Sequence, residues 1–148
     1  MDPMEQIKLR PLKAGDLDAI ARIDEEILGT PRQEYWANKI AGLEKRSGIA
    51  PLVAELDGKA IGFIIGEASG WEYGVPEEVG WIHSLGVDPE FQGKGIGAVM
   101  LREMLDNMQE VGVTTVYTLV NWKDGDMLRF FDRMGFDRGD MLNLQKRL

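Results

Sequence analysis

The chain has 148 residues, 44% hydrophobic and 28% charged, a balance that suits one globular domain with a core and excludes an extended disordered chain. Its net charge of −8 argues against general nucleic-acid binding, and the absence of cysteine excludes disulfides, a thiolate nucleophile and cysteine-ligated zinc. The acidic, proline-broken opening MDPMEQIKLRPL is unlike a signal peptide and no apolar run approaches the ~20 residues of a membrane span, so the expected setting is the cytoplasm.

Residues Ile7–Leu12 read as a short strand. Asp16 then stands as the N-cap of an amphipathic helix carrying Leu17, Ile20, Ile23 and Ile27, closed by Gly29 and Pro31. A second, weaker helix follows from about Gln33 to Lys45. The apolar runs Pro51–Leu56 and Lys59–Trp71 are joined by Asp57-Gly58, a strong hairpin signal. A third apolar run covers Val79–Val87. A long helix spans roughly Gly95–Val111, with Ile96, Met100, Met104 and Met108 recurring every four residues as core packing. Gly112 stops it, and the β-branched run Val113–Val120 reads as a strand. A last helix over Asp126–Met134, closed by Gly135, and a final strand near Met141–Lys146 complete the order. The expected fold class is a mixed α/β domain over residues 1–148, with a glycine-rich turn between a central strand and a helix.

That turn lies in IHSLGVDPEFQGKGIG (Ile82–Gly97) and has the composition of an anion cradle. It is not a P-loop: the glycine required ahead of the Gly-Lys pair is Asp88, and Gly95 stands where a Ser or Thr should hold magnesium. Gly93, Gly95 and Ala98 match a dinucleotide fingerprint. However, DPEFQ separates them from the strand, and the next strand ends in Val120 and Asn121 rather than in a ribose-binding acid.

Taken whole, the stretch resembles the acyl-CoA-binding motif of the GNAT superfamily of N-acetyltransferases. Leu85 and Val87 occupy the apolar strand positions, followed by Pro89 and the loop Gln92-Gly93-Lys94-Gly95-Ile96-Gly97. The closing RFFDRMGF (Arg129–Phe136) is a further landmark, and the likeness extends over nearly the whole chain, in outline only for the first 50 residues. The resemblance implies a mostly antiparallel mixed sheet, splayed at a bulge in the central strand and flanked by about four helices. It implies acetyl-CoA as acyl donor. Amides from Gln92 to Gly97, with Lys94, would meet the pyrophosphate, and backbone groups at Leu85, Gly86 and Val87 would meet the pantetheine. Gly86, lacking a side chain, suits close approach of that arm. Neither a metal, nor a nucleic acid, nor a membrane is expected as partner, and a homodimer is left open.

Acetyl transfer needs a neutral amine, yet alkylamines have pKa values near 10.4 and arrive charged. His83, the only histidine, lies on the central strand two alternations from Val87. In members resembling serotonin acetyltransferase, a histidine at the matching position is associated with removing the amine proton. Other members carry a glutamate two residues earlier; here that residue is Trp81, so Glu78 is the second candidate base. The family often has an asparagine seven residues before a tyrosine in the last helix. Here those positions hold Asp124 and Phe131, with Asn121 nearby but out of register. Phenylalanine cannot protonate a leaving thiolate, so water, Tyr117 or Tyr73 would serve. Trp36, Trp71, Tyr73 and Trp81 are candidates for an aromatic wall around an amine acceptor, with Glu72, Glu77 and Glu78 at its rim; each is equally a candidate for plain packing. The expected activity is direct transfer of acetyl from acetyl-CoA to a primary amine (a peptide N-terminus, lysine or small molecule). The alternative is a weakly catalytic acyl-CoA sensor.

Overall fold

A computed structural model describes residues 6–43, 49–70 and 78–148. The chain forms two compact units, Met1–Thr118 and Leu119–Leu148. The first contains β1 (Lys8–Pro11), α1 (Leu17–Leu28), α2 (Gln33–Leu43), β2 (Leu52–Leu56), β3 (Lys59–Gly70), β4 (Glu78–Val87), α3 (Ile96–Glu110) and β5 (Thr115–Thr118); the second contains α4 (Gly125–Arg133). One five-stranded sheet runs in the order β1-β2-β3-β4-β5, antiparallel as far as β4 and parallel between β4 and β5.

Local chemistry explains most boundaries. Asp57 and Gly58, with φ of 51° and 78°, turn β2 into β3, as the Asp-Gly pair foretells. Gly29, left-handed at φ 85°, ends α1 and donates its N–H to the Glu25 carbonyl. Asp16 does precede α1, but its side chain does not cap the helix. Its carboxylate turns back to accept from both Arg10 guanidinium ends and from the Lys13 N–H, each at 2.8 Å. Those bonds tie the end of β1 to the start of α1.

The two faces of the sheet pack differently. On one, Ile20, Ile23, Trp36 and Ile40 of α1 and α2 enclose Val53, Phe63 and Ile65. Trp36, 1% exposed and edge-on to Phe63, is therefore core and not acceptor wall; residues 71–77, with Trp71, Tyr73, Glu72 and Glu77, lie outside the described residues. On the other face the methionines of α3 press into the sheet where it carries glycine. A Cβ on Gly62 would lie 3.0 Å from Met100 Cε, and one on Gly80 would lie 2.7 Å from Met108 Sδ. The four-residue methionine spacing is thus core packing, as read from the sequence.

Two strand expectations are corrected. The fifth strand is Thr115–Thr118 and not Val113–Val120, because its ladder with β4 extends only from Val79↔Thr115 to Ile82↔Thr118. The final strand at Met141–Lys146 is absent: residues 137–148 are irregular and exposed. A strand exists only through a neighbour, and among the described residues this segment has none.

Candidate functional site

The site is built around the second half of β4. Pairing with β5 stops at Ile82, where the Thr118 hydroxyl closes the ladder by donating to the Ile82 carbonyl at 3.0 Å. From His83 to Val87, about 16 Å of strand at ~3.3 Å per residue, β4 keeps β3 on one side and, among the described residues, has no paired strand on the other. This is the splay expected of the central strand. It leaves an edge of backbone donors and acceptors, which need partners from water or from a ligand.

The bulge lies on β4 itself. Ile65 faces Ser84, but the next residue, Gly66, faces Ile82, so His83 is the extra residue. An inserted residue reverses the in–out parity of everything beyond it. The count of two alternations therefore fails to place His83 and Val87 on one face. Val87 pairs with Gly62, which faces Met100 of α3. Gly86 instead turns to the opposite face, where a Cβ would lie 2.7 Å from the Phe63 ring. Phe63 is thus by itself sufficient reason for a glycine at position 86. Leu85, paired with Ile64, and Val87 are both half-buried at the open edge.

The His83 side chain, one-third exposed, meets Glu67 of β3, with Nε2 and Oε2 2.9 Å apart. Both line a small recess with Lys39 and Leu43 of α2 and Pro51. Beside them Trp81, paired with Glu67 in the ladder, tilts against Tyr117 of β5 at 5.2 Å between rings. Glu78 begins β4 with an exposed side chain, five residues from His83 and so ~16 Å away along the strand. It is not brought together with His83.

At its other end β4 runs into Asp88, whose carboxylate is 2% exposed and accepts from Arg22 of α1 at 3.1 Å and from the Glu90 N–H at 3.0 Å. The Asp88 N–H donates to the Ile61 carbonyl, so the start of the loop is fixed on both sides. After a single turn of 3₁₀ helix, Pro89–Phe91, the chain passes through Gly93 (φ 77°) and Gly95 (φ 86°), both left-handed, and Gly95 is the N-cap of α3. Only glycine takes such angles without strain. The Val99 N–H closes the first helical bond on the Gly95 carbonyl. The N–H groups of Ile96, Gly97 and Ala98 therefore point out of the helix end, in a loop that is exposed from Gln92 to Gly95. Lys94 lies over the Phe91 ring at 5.5 Å. Gln92 is engaged differently from expectation: its N–H faces the Pro89 carbonyl at 3.4 Å, and its side-chain amide donates to the Val87 carbonyl at 3.0 Å. It braces the loop against β4.

In the second unit, Asp124 is the N-cap of α4 and accepts from the Met127 N–H, while Asn121 Oδ1 accepts from the Lys123 N–H. Phe131 is buried, edge-on to Phe130 and Phe136 at 5.2 and 5.0 Å. All three sequence candidates here are thus engaged in local structure.

Glu67 was not among the sequence candidates. It stands alone as an acid within the apolar run IGFIIGEASG, which is a signal of sorts. Its partnership with His83 depends on a β3–β4 register that no short hairpin discloses. Among the described residues, no helix is long and apolar enough to cross a membrane.

Comparison with known proteins agrees with this architecture. The chain is 28% identical over 113 residues to an uncharacterized N-acetyltransferase of Methanocaldococcus jannaschii, covering 75% of this chain and 50% of that protein. It therefore spans about half the length of that relative. A transcriptional regulator from Bacillus halodurans shares the fold at a TM-score of 0.83 and 17% identity, over 96% of this chain and 99% of that one. An aminoglycoside N-acetyltransferase, AAC(6')-Iy, solved in complex with CoA, superposes at a TM-score of 0.81 with 12% identity, over 95% and 94% of the two chains. The model of the acetyltransferase (GNAT) family matches residues 17–136, a span that includes the splayed strand, the glycine turn and α4, and the chain belongs to that family.

Proposed function

We propose that this protein is an acetyl-CoA-dependent N-acetyltransferase that moves an acetyl group directly to a primary amine, with residues 1–148 acting as one domain. One observation carries the reading. The unpaired half of β4 runs from His83 at one end to an anion cradle at Gly93–Ala98 at the other. An elongated ligand with amide groups along its length, an anionic end and a reactive end matches that layout.

The chain's own residues would divide the work. Outward-pointing N–H groups from Gly93 to Ala98, the positive end of the α3 dipole and the Lys94 ammonium hold a diphosphate. Backbone groups along the open edge from His83 to Val87, apart from the Val87 carbonyl that Gln92 occupies, hold the amides of the arm as a strand would. Asp88, tied to Arg22, keeps cradle and edge in one frame. His83 accepts the proton that the amine must lose, the ordinary task of a histidine base. The nitrogen lone pair then attacks the thioester carbonyl, the C–N bond forms, the C–S bond breaks, and the second proton of the acylated nitrogen passes to water. The thiolate leaves without a tyrosine acid, which is tolerable because a thiol's pKa is only about 8.5. The Glu67–His83 pair favours an enzyme over a sensor, since cofactor binding alone needs neither residue.

The test is an acceptor panel (peptide N-termini, lysine peptides, polyamines, aminoglycosides and arylalkylamines) assayed for release of CoA thiol. We expect turnover with at least one class, and His83→Gln should lower it by roughly 10²–10⁴-fold while acetyl-CoA binding changes little. Binding of acetyl-CoA with no turnover on any amine would leave the sensor reading in its place. A His83→Gln variant as active as the parent would remove His83 from the chemistry.

A further inference from the structure

The proposed function asks His83 to accept a proton but does not say which ring nitrogen accepts it. The bulge answers this. As the inserted residue of β4, His83 is freed from the regular ladder and its ring reaches Glu67 on the neighbouring strand, Nε2 to Oε2 at 2.9 Å. At neutral pH a carboxylate only accepts hydrogen bonds, so a neutral imidazole sharing that contact must carry its proton on Nε2. Nδ1 is then the nitrogen with the free lone pair.

We propose that Glu67 is the positioning residue of the site: it fixes the Nε2–H tautomer of His83 and leaves Nδ1 as the proton acceptor for the incoming amine. The inference rests on the proposed role of His83 and deepens it. When Nδ1 takes the amine proton, the ring becomes a cation with Nε2–H still on Glu67, and the carboxylate stabilises that charge. No proton passes to Glu67. Among the described residues, the other charged side chain lining the recess is that of Lys39 on α2; Ile49, Pro51, Ile65 and Leu43 are its apolar walls. Glu67 also restricts what can approach. An amine must come to His83 from the ring edge opposite β3, since the Nε2 edge is filled.

Because His83 is the only histidine in the chain, ¹⁵N-labelled imidazole gives one pair of nitrogen signals and needs no assignment. Measured on the full chain at about pH 8.5, roughly two units above an unperturbed imidazole, the parent should show the Nε2–H tautomer. In Glu67→Gln the side chain has nearly the same shape, but its amide presents either a carbonyl or an NH₂ to the ring. The tautomers should then mix, and acetyl transfer should fall about tenfold, inside the roughly 10²–10⁴-fold span available to the base itself. The effect should appear in kcat, with the KM for acetyl-CoA unchanged and the backbone spectrum away from β3 and β4 preserved. An Nδ1–H tautomer in the parent, or a tautomer unmoved in Glu67→Gln, would overturn the proposal whatever the kinetics. An Nε2–H tautomer that responds to Glu67→Gln while His83→Gln retains full activity would instead show that the proposed base is wrong, and would overturn the catalytic half of the inference with it.

Discussion

Glycines in the loop ahead of α3 and glycines in the sheet beneath it solve opposite problems. At Gly93 the backbone is left-handed, and a Cβ placed there would meet nothing within 4 Å. At Gly66 the space itself is taken: an added Cβ would stand 2.8 Å from Met108 Cε and 2.9 Å from the Trp81 carbonyl oxygen. The loop needs glycine for its dihedral angles, and the sheet needs it for volume. In the proposed function one group frees N–H donors for a ligand, and the other lets α3 sit close enough to hold that loop where β4 delivers it. On that reading the same residue type serves binding in one place and stability in the other, and the two should separate by experiment.

The largest separation should come from Gly95→Val. A β-branched residue at φ 86° cannot keep the turn that presents the α3 N-terminus. With acetyl-CoA at about 100 times its Kd, the parent should gain ~2.7 kcal/mol of stability. The variant should lose most of that gain in thermal unfolding while remaining folded without ligand. A comparable gain from NAD, with none from acetyl-CoA, would end the acyl-donor reading.

Gly66→Ala should do the reverse. One of its two clashes is with a backbone carbonyl, so overpacking should cost about 1–3 kcal/mol and lower the Tm, while the folded fraction binds acetyl-CoA as before. Gly80→Ala tests the distinction more finely, because its neighbours, Met108 Sδ at 2.7 Å and Val113 Cγ1 at 3.2 Å, are both side-chain atoms. In double-mutant cycles with Met108→Val, a shorter residue at 108 should relieve Gly80→Ala more than Gly66→Ala, by about 1 kcal/mol of coupling. Equal coupling at both sites would mean the Trp81 carbonyl yields as easily as a side chain.

Asp16 gives a stability effect independent of both groups. The Arg10 guanidinium, bound to it through two 2.8 Å hydrogen bonds, holds its carboxyl below the usual carboxylate range despite an opposing contribution from burial. A depressed folded-state value means that this stabilisation is fully present above the ordinary carboxylate range and disappears as pH falls through the lowered value. Asp16→Asn should therefore cost about 2 kcal/mol at pH 7, typical of charge-assisted hydrogen bonds. The deficit should shrink toward pH 2, as followed by urea unfolding. A deficit constant with pH would show that the carboxylate charge is not what matters.

Phe131→Tyr should have the smallest effect. If the last helix places this residue as the family does, the new hydroxyl should raise turnover severalfold. However, Phe131 is packed edge-on between Phe130 and Phe136. A fall in Tm with no gain in rate would show that the hydroxyl is buried among rings and that Phe131 serves packing alone.

The elements that the sequence disclosed best are those governed by neighbours along the chain. The Asp57-Gly58 turn, the Gly29 helix stop, the methionine spacing of α3 and the order Val87-Asp88…Gly97 all depend on contacts within a few residues. Their periodicity or dihedral needs are therefore written locally. The proposed anion cradle is local in the same way, since its N–H groups come from consecutive residues. Errors arose where partners are distant. Trp36 looks like any aromatic on a short helix until Phe63 is brought against it. Asp16 looks like a cap until Arg10 reaches it. Residues Met141–Lys146 look like a strand but have no strand beside them.

By itself, then, the sequence determined the α/β class, the helix and turn boundaries to within a residue or two in most cases, and the loop that marks the family. Tertiary structure decided which atoms face one another at His83. One inserted residue in β4 reversed the parity of the strand beyond it, turned Gly86 toward Phe63 and brought the imidazole to Glu67. Register between strands is fixed by the packing of both faces of the sheet together. That information belongs to pairs of residues 16 positions apart, and neither member carries it alone.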